Sequence, residues 1–210
     1  MKNIILGLDE KMVNSRDVIF GVDSYEYVFE KMIDSMFSRL KGEDKKQFNP
    51  NANWDLIVPP VRVESTNLRP DTVMIKDKDV YILDAKYYRF GTTFKTKDLP
   101  ETTSIQKQIT YGEYIKQAKK GKYNNIYSAF LMPYNKYNNI NKDKLHENLE
   151  FIGIGSAEWF DENDSEKNRK SAGILIDTKF LIDNWAKNSD STVNELVDLI
   201  NKKIGGVTNE

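Results

Sequence analysis

The sequence predicts a mixed α/β domain, a central mixed sheet flanked by helices. Three observations carry this expectation. Apolar residues recur at helical spacing from Tyr25 to Leu40; two short β-rich runs, 72–75 (TVMI) and 80–83 (VYIL), flank a polar turn; and further apolar runs follow at 126–132 and 149–154, with helical patterning between and after them. At 210 residues the chain suits one domain or one with a small appendage, with 1–22 and 188–210 expected at the periphery.

In chain order, residues 1–22 offer two short apolar pieces, Ile4 to Leu8 and Val18 to Val22, and Asp23 or Ser24 then suits a helix N-cap. Tyr25, Val28, Phe29, Met32, Ile33, Met36 and Leu40 form the stripe of an amphipathic helix. Residues 42–53 are polar, carry Pro and several Asn, and read as a loop. Residues 54–63 contain Pro59-Pro60, which excludes a central strand; an edge strand leading into the next hairpin is expected. The runs 72–75 and 80–83, joined by Lys-Asp-Lys-Asp, form that hairpin.

Beyond it, Tyr87, Tyr88 and Phe90 interleave with Arg89, Lys95 and Lys97, a pattern that fits either a nucleic-acid groove or ordinary core packing. Ser104 is the expected cap of a helix over 105–120 that stops at Gly121. A buried strand is expected over 126–132, ending at Pro133, then a surface loop to 148, a strand over 149–154, a charged loop over 161–171, a short strand over 174–177, and helices over 178–186 and 193–204.

Chemistry concentrates at one end of the central hairpin. In an antiparallel pair the start of the first strand lies beside the end of the second, which brings Asp71 to Asp84. Period-two alternation puts Lys86 on the same face as Asp84, while Ala85 can offer its backbone carbonyl. Two carboxylates held together repel unless a proton or cation intervenes, and an all-oxygen donor set of this kind suits Mg2+. Glu26 and Glu30 stand one turn apart at the margin of the first helix's apolar stripe, and periodicity alone favours two solvated flank residues. Arg62 and Arg69 flank the hairpin entry, as phosphate contacts or simply as solvated charges.

These residues carry a resemblance. Pro70-Asp71, twelve intervening residues and Asp84-Ala85-Lys86 resemble the PD-(D/E)xK nuclease signature. The stretch 25–32 (YEYVFEKM) resembles the family's upstream helix with its acidic residue, and 99–111 (LPETTSIQKQITY) resembles the downstream stretch of LlaJI-type restriction endonucleases and the related McrC-like nucleases. The resemblance implies a restriction-endonuclease-like sheet and Mg2+-dependent hydrolysis of DNA phosphodiesters by a type II-like restriction endonuclease or the nuclease subunit of a restriction system. Asp71, Asp84, the Ala85 carbonyl and Glu30 would hold the metal. Lys86 would position or help deprotonate the attacking water, and Gln108 would act beside the site together with Tyr111. The family's QxxxY spacing asks for a tyrosine at 112, where this chain has glycine, so Gln106 and Tyr114 stay open as alternatives. The implied partners are double-stranded DNA and either a second copy of the chain or a second restriction subunit. A structure-specific repair or recombination nuclease and a noncatalytic interaction domain are the competing readings.

Composition bounds the rest. Cysteine is absent and His146 is the one histidine, which excludes disulfides and thiolate sites and leaves nothing for a histidine-rich zinc centre or a catalytic triad. No apolar run approaches membrane-spanning length, the amino terminus is a poor signal peptide, and no P-loop or dinucleotide motif occurs, so a cytoplasmic protein without its own nucleotide hydrolysis is expected. A net charge of −1, from 31 basic and 32 acidic residues, disfavours avid nonspecific DNA binding and points to a local basic groove or a partner.

Overall fold

A computed structural model describes residues 25–40, 42–141, 143–160, 166–187 and 189–206. The expected apolar pieces at Ile4 to Leu8 and Val18 to Val22, and the cap at Asp23 or Ser24, lie outside these residues. The first described helix, α1 (Tyr25–Phe37), buries Phe29, Met32, Ile33, Met36 and Phe37, the expected stripe. It stops short of Leu40 because Ser38 redirects the chain: its hydroxyl donates to the Val73 carbonyl (3.0 Å), and the Leu40 N–H donates back to it (3.2 Å). The polar loop that follows contains a one-turn helix, α2 (Glu43–Lys46), and buries Phe48 completely.

The segment with Pro59-Pro60 corrects the sequence expectation. It is not an edge strand of the main sheet but a separate hairpin, β1 (Asn53–Ile57) with β2 (Pro60–Glu64), turning through a cis Val58-Pro59 bond. Every residue of both strands is solvent-exposed. The register places Trp54 opposite Val63 and Leu56 opposite Val61 on one face, and Asp55 opposite Arg62 on the other.

The main sheet has five strands: β3 (Thr72–Lys76), β4 (Asp79–Ala85), β5 (Ile126–Tyr134), β6 (Leu149–Ser156) and β7 (Lys170–Asp177), in the order β3-β4-β5-β7-β6. The β3–β4 and β6–β7 pairs are antiparallel, and β4–β5 and β5–β7 are parallel, giving the expected mixed sheet. Asp77 and Lys78, both at positive φ, make the tight β3–β4 turn, and the Lys78 carbonyl accepts from Asn124 N–H (2.8 Å), which anchors it to the start of β5.

Both faces of this sheet are covered, which explains why its strands read as continuous apolar runs rather than alternating ones. On one face Met74, Tyr81, Leu83, Ala129, Leu131, Ile174 and Ile176 pack with α1 and with Leu196, Ile200 and Ile204 from the carboxyl end. Those last residues belong to α6 (Asp190–Ile200) and the turn after it, so the described part of 188–210 sits in the main core and not at the periphery. It is preceded by α5 (Thr178–Asn184), capped by the Asp177 side chain accepting from Phe180 N–H (2.9 Å). On the other face Val73, Val80 and Ile82 meet Tyr111 and Ile115 of α4 (Thr102–Ala118), while Phe130, Met132 and Leu175 lie under Ile105 and under Phe90 of the one-turn helix α3 (Phe90–Thr93).

Three of the boundaries that differ from the sequence reading bear on the site and its sheet. Helix α4 begins at Thr102, with Glu101 and not Ser104 in the N-cap position. Strand β7 is eight residues long, extending back to Lys170 through what reads as a charged loop, because both its neighbours pair along that length. Strand β5 runs through Pro133 to Tyr134. Lys86 N–H donates to the Leu131 carbonyl (2.8 Å) as the last β4 rung, and Pro133 faces the same way two residues on, where no ladder N–H is required. Among the described residues no helix is long and apolar enough to cross a membrane.

Candidate active site

The hairpin β3–β4 brings the predicted charges together. The last antiparallel rung pairs Thr72 with Leu83, so Asp71 and Asp84 emerge side by side. The Lys86 ammonium lies 3.0 Å from Asp84 Oδ1, on the same face of β4 as alternation requires. Asp84 is almost completely buried under α4, yet its neighbour Asp71 opens onto a cleft. Burial, the adjacent Asp84 carboxyl and the charge of Glu30 push Asp71 up to about 8, against the lowering pull of Lys86. For Lys86 burial works against the charge, but Asp84 and Asp71 outweigh it and hold the ammonium above its ordinary value.

Glu30 acts on Asp71 electrostatically and lines the same cleft, while Glu26 is exposed one turn earlier on α1. Among the described residues no three His, Cys, Asp or Glu side chains converge as a ready-made metal cluster. The donors that do converge are two carboxylates and backbone. Continued two steps past Thr72, the β3–β4 register sets Pro70 opposite Ala85, and proline has no N–H to give that carbonyl. The Pro-Asp dipeptide thus supplies a carboxylate and spares a carbonyl. The set is all oxygen and its two close carboxylates repel unless a positive charge lies between them, so a hard divalent cation fits it.

Helix α4 roofs the pair. Gln108 is 1% exposed and its Oε1 has no partner, while Tyr111 is buried one turn on, with Asp71 and Asp84 both within electrostatic reach. Burial pushes the Tyr111 phenol up to about 12, the two carboxylates add to this, and its hydrogen bond to the Arg69 backbone only partly offsets them. The glycine where a QxxxY spacing would put tyrosine has a steric explanation: a Cβ on Gly112 would lie 2.8 Å from both the Cβ and the carbonyl oxygen of Asn168. Tyrosine at 111 is what reaches the site. Of the alternatives, Gln106 is exposed and Tyr114 lines the cleft beyond Asp71.

Sequence reasoning missed a clasp behind the site. Lys45 Nζ donates to Asp34 Oδ1 (2.7 Å) and to the Asp71 carbonyl, and Thr72 Oγ1 donates to the same Asp34 oxygen (3.1 Å). Asp34 lies one turn after Glu30 on α1, a periodicity signal that was available, whereas Lys45 is one lysine in a polar loop and carried none. Of the loop aromatics, Tyr87 packs on Tyr25 and Phe29 of α1, with ring centroids 4.9 and 5.6 Å away. His146 is exposed beside Glu147, away from this chemistry.

A search of curated proteins finds no match to the chain. The family described as LlaJI restriction endonuclease matches residues 3–162, a span that holds α1, both hairpins and α4. With more than half of its length matched, and with a mixed sheet flanked by helices, the chain belongs to the LlaJI restriction endonuclease family.

Proposed function

We propose that this chain hydrolyses DNA phosphodiester bonds with a divalent cation, Mg2+, as a type II-like restriction endonuclease or as the nuclease subunit of a restriction system. The observation that carries the reading is the adjacent Asp71–Asp84 pair with Lys86 3.0 Å from Asp84 and Asp71 opening onto a cleft. Asp71, Asp84 and the Ala85 carbonyl would hold the cation, with Glu30 adding negative charge from α1. Bound there, the cation supplies Lewis-acid polarisation of the phosphate and a water acidic enough to attack it.

The chain's own groups do the rest. Lys86, held cationic, hydrogen-bonds a non-bridging phosphate oxygen and stabilises charge as it develops. Because its proton is held more tightly than usual, its role is positioning and charge stabilisation ahead of proton abstraction. Tyr111, neutral at physiological pH, holds the Arg69 backbone and so the approach to Asp71. The near-neutral net charge supports a further role for a second copy or second subunit in DNA affinity.

The test is cleavage of long unmethylated and methylated duplex by the purified protein in magnesium, in calcium and with chelator, beside Asp84→Asn. Discrete magnesium-dependent fragments, absent in the variant, are expected. Full activity in Asp84→Asn, or in chelator, would remove the site from the reaction. Preference for branched over linear duplex would favour the repair reading.

A further inference from the structure

The cleft that exposes Asp71 encloses about 760 Å³ and extends away from the carboxylates towards the root of the β1–β2 hairpin. Beyond Glu30 and Asp71, Lys31, Lys45, Lys46 and Arg69 bring positive charge to its walls, and Asn49, Asn51 and Asn67 bring uncharged amides from the two chain segments that enter and leave the hairpin.

These three amides are set apart by lining the cleft with no internal partner. Several other asparagine side chains are consumed locally: Asn135 Oδ1 accepts from Tyr137 and Asn138 N–H, Asn139 Nδ2 donates to three backbone carbonyls, and Asn168 binds Glu113. Among the described residues the side chains of Asn49, Asn51 and Asn67 form no hydrogen bond, although Asn49 and Asn67 are half-buried. Arg69 likewise has no ion pair, and its backbone is hydrogen-bonded to the Tyr111 side chain. A wall meant only for phosphate would need no more than the cations. Planar amides, carrying a donor and an acceptor side by side, match a base edge, adenine N6 and N7 best of all.

We propose that this cleft reads DNA sequence next to the scissile phosphate, with the amides of Asn49, Asn51 and Asn67 on base edges and the Arg69 guanidinium on the backbone. The proposal rests on the nuclease reading and deepens it, because it assigns specificity to this chain's own surface. The three amides come from both ends of one hairpin, so they span adjacent bases in a single approach. Arg69 precedes Pro70-Asp71 directly, so a phosphate held by Arg69 lies next in line to the one beside the carboxylates.

The test uses the full chain carrying Asp84→Asn, incubated with a pool of random duplexes, followed by sequencing of what is retained. The parent is expected to enrich one short sequence. Asn49→Ala, Asn51→Ala and Asn67→Ala, each added singly, are expected to relax preference at one position of that sequence by roughly five-fold to a hundred-fold while the other positions keep theirs. Arg69→Ala is expected to weaken binding to all sequences alike and to lower the salt dependence by about one counterion. Unchanged melting temperatures in the variants show that the fold is intact. Retention of the parent's full preference by all three asparagine variants, or no enrichment by the parent, would overturn the inference. Cleavage is not needed for this readout, so failure of the nuclease reading registers separately, as wild-type protein that does not cut in magnesium.

Discussion

Two hairpins of this chain have similar strands and opposite fates. In β3–β4 eight of twelve strand residues are buried, because α1 covers one face and α4 the other; in β1–β2 all ten strand residues are exposed. Both turn within two residues, and both put apolar side chains opposite one another. What separates them is the company they keep: only the first lies beside a parallel third strand and between helices. A buried hairpin end can hold two carboxylates close enough to raise the value of one, since little water is there to screen them; an exposed one, like Asp55 opposite Arg62 at 3.7 Å, settles for a loose ion pair.

The contrast can be broken most forcefully at the carboxylates. Asp71→Asn and Asp84→Asn are expected to lower cleavage by about three orders of magnitude or more while leaving the far-ultraviolet circular dichroism unchanged. Wild-type rates in either would show that the buried hairpin end is structural only. Next in size is packing. Leu83→Ala, in the core beneath α1, is expected to cost about 2–5 kcal/mol in urea unfolding, whereas Trp54→Ser on the exposed hairpin should stay within about 0.5 kcal/mol. Equal losses would mean that β1–β2 is covered in solution.

Proton linkage sharpens the comparison further. Asp71 has a raised value in the folded chain, so its contribution to stability is complete below the unfolded carboxylate range and disappears as pH climbs through about 8. The melting temperature in chelator should therefore fall between about pH 4 and pH 8, Asp71→Asn should flatten that slope, and magnesium should reverse it. A flat profile in the wild type would contradict the raised value. Glu113 behaves oppositely. Burial raises its value, but Arg169 (2.8 Å) and Asn168 (3.0 Å) outweigh burial and hold it below the usual range. Its contribution is present above the unfolded carboxylate range and lost as pH drops through the folded value. Glu113→Gln should cost about 1 kcal/mol at pH 7, since the pair is partly solvated, and almost nothing at pH 3.

The parts of the fold that were readable are those whose signal is local. The α1 stripe, the β3–β4 hairpin and the proximity of Asp71, Asp84 and Lys86 follow from periodicity and antiparallel pairing alone. The departures all arise from partners distant in sequence. Pro133 continues a strand because β4 has already ended; β7 absorbs charged residues because β5 and β6 flank it; Pro59-Pro60 makes a turn of its own because no main-sheet strand pairs with it. In the site, the Lys45 clasp and the cleft amides were invisible for the same reason. A lysine and three asparagines in polar loops look like solvent-facing residues until the fold sets them beside Asp71.

That clasp also ties down the base of the exposed hairpin. Below β1–β2, Ser65 N–H donates to the Ala52 carbonyl (2.7 Å), Leu68 N–H to the Pro50 carbonyl (3.2 Å), and Phe48 is sunk into the core, while Lys45 ties the same stretch to the Asp71 backbone. The hairpin is therefore a lever with a fixed fulcrum, held at its base by the residues that hold the catalytic candidate. Its two exposed strands, five residues each, thus rise from a base joined to the carboxylate's own backbone.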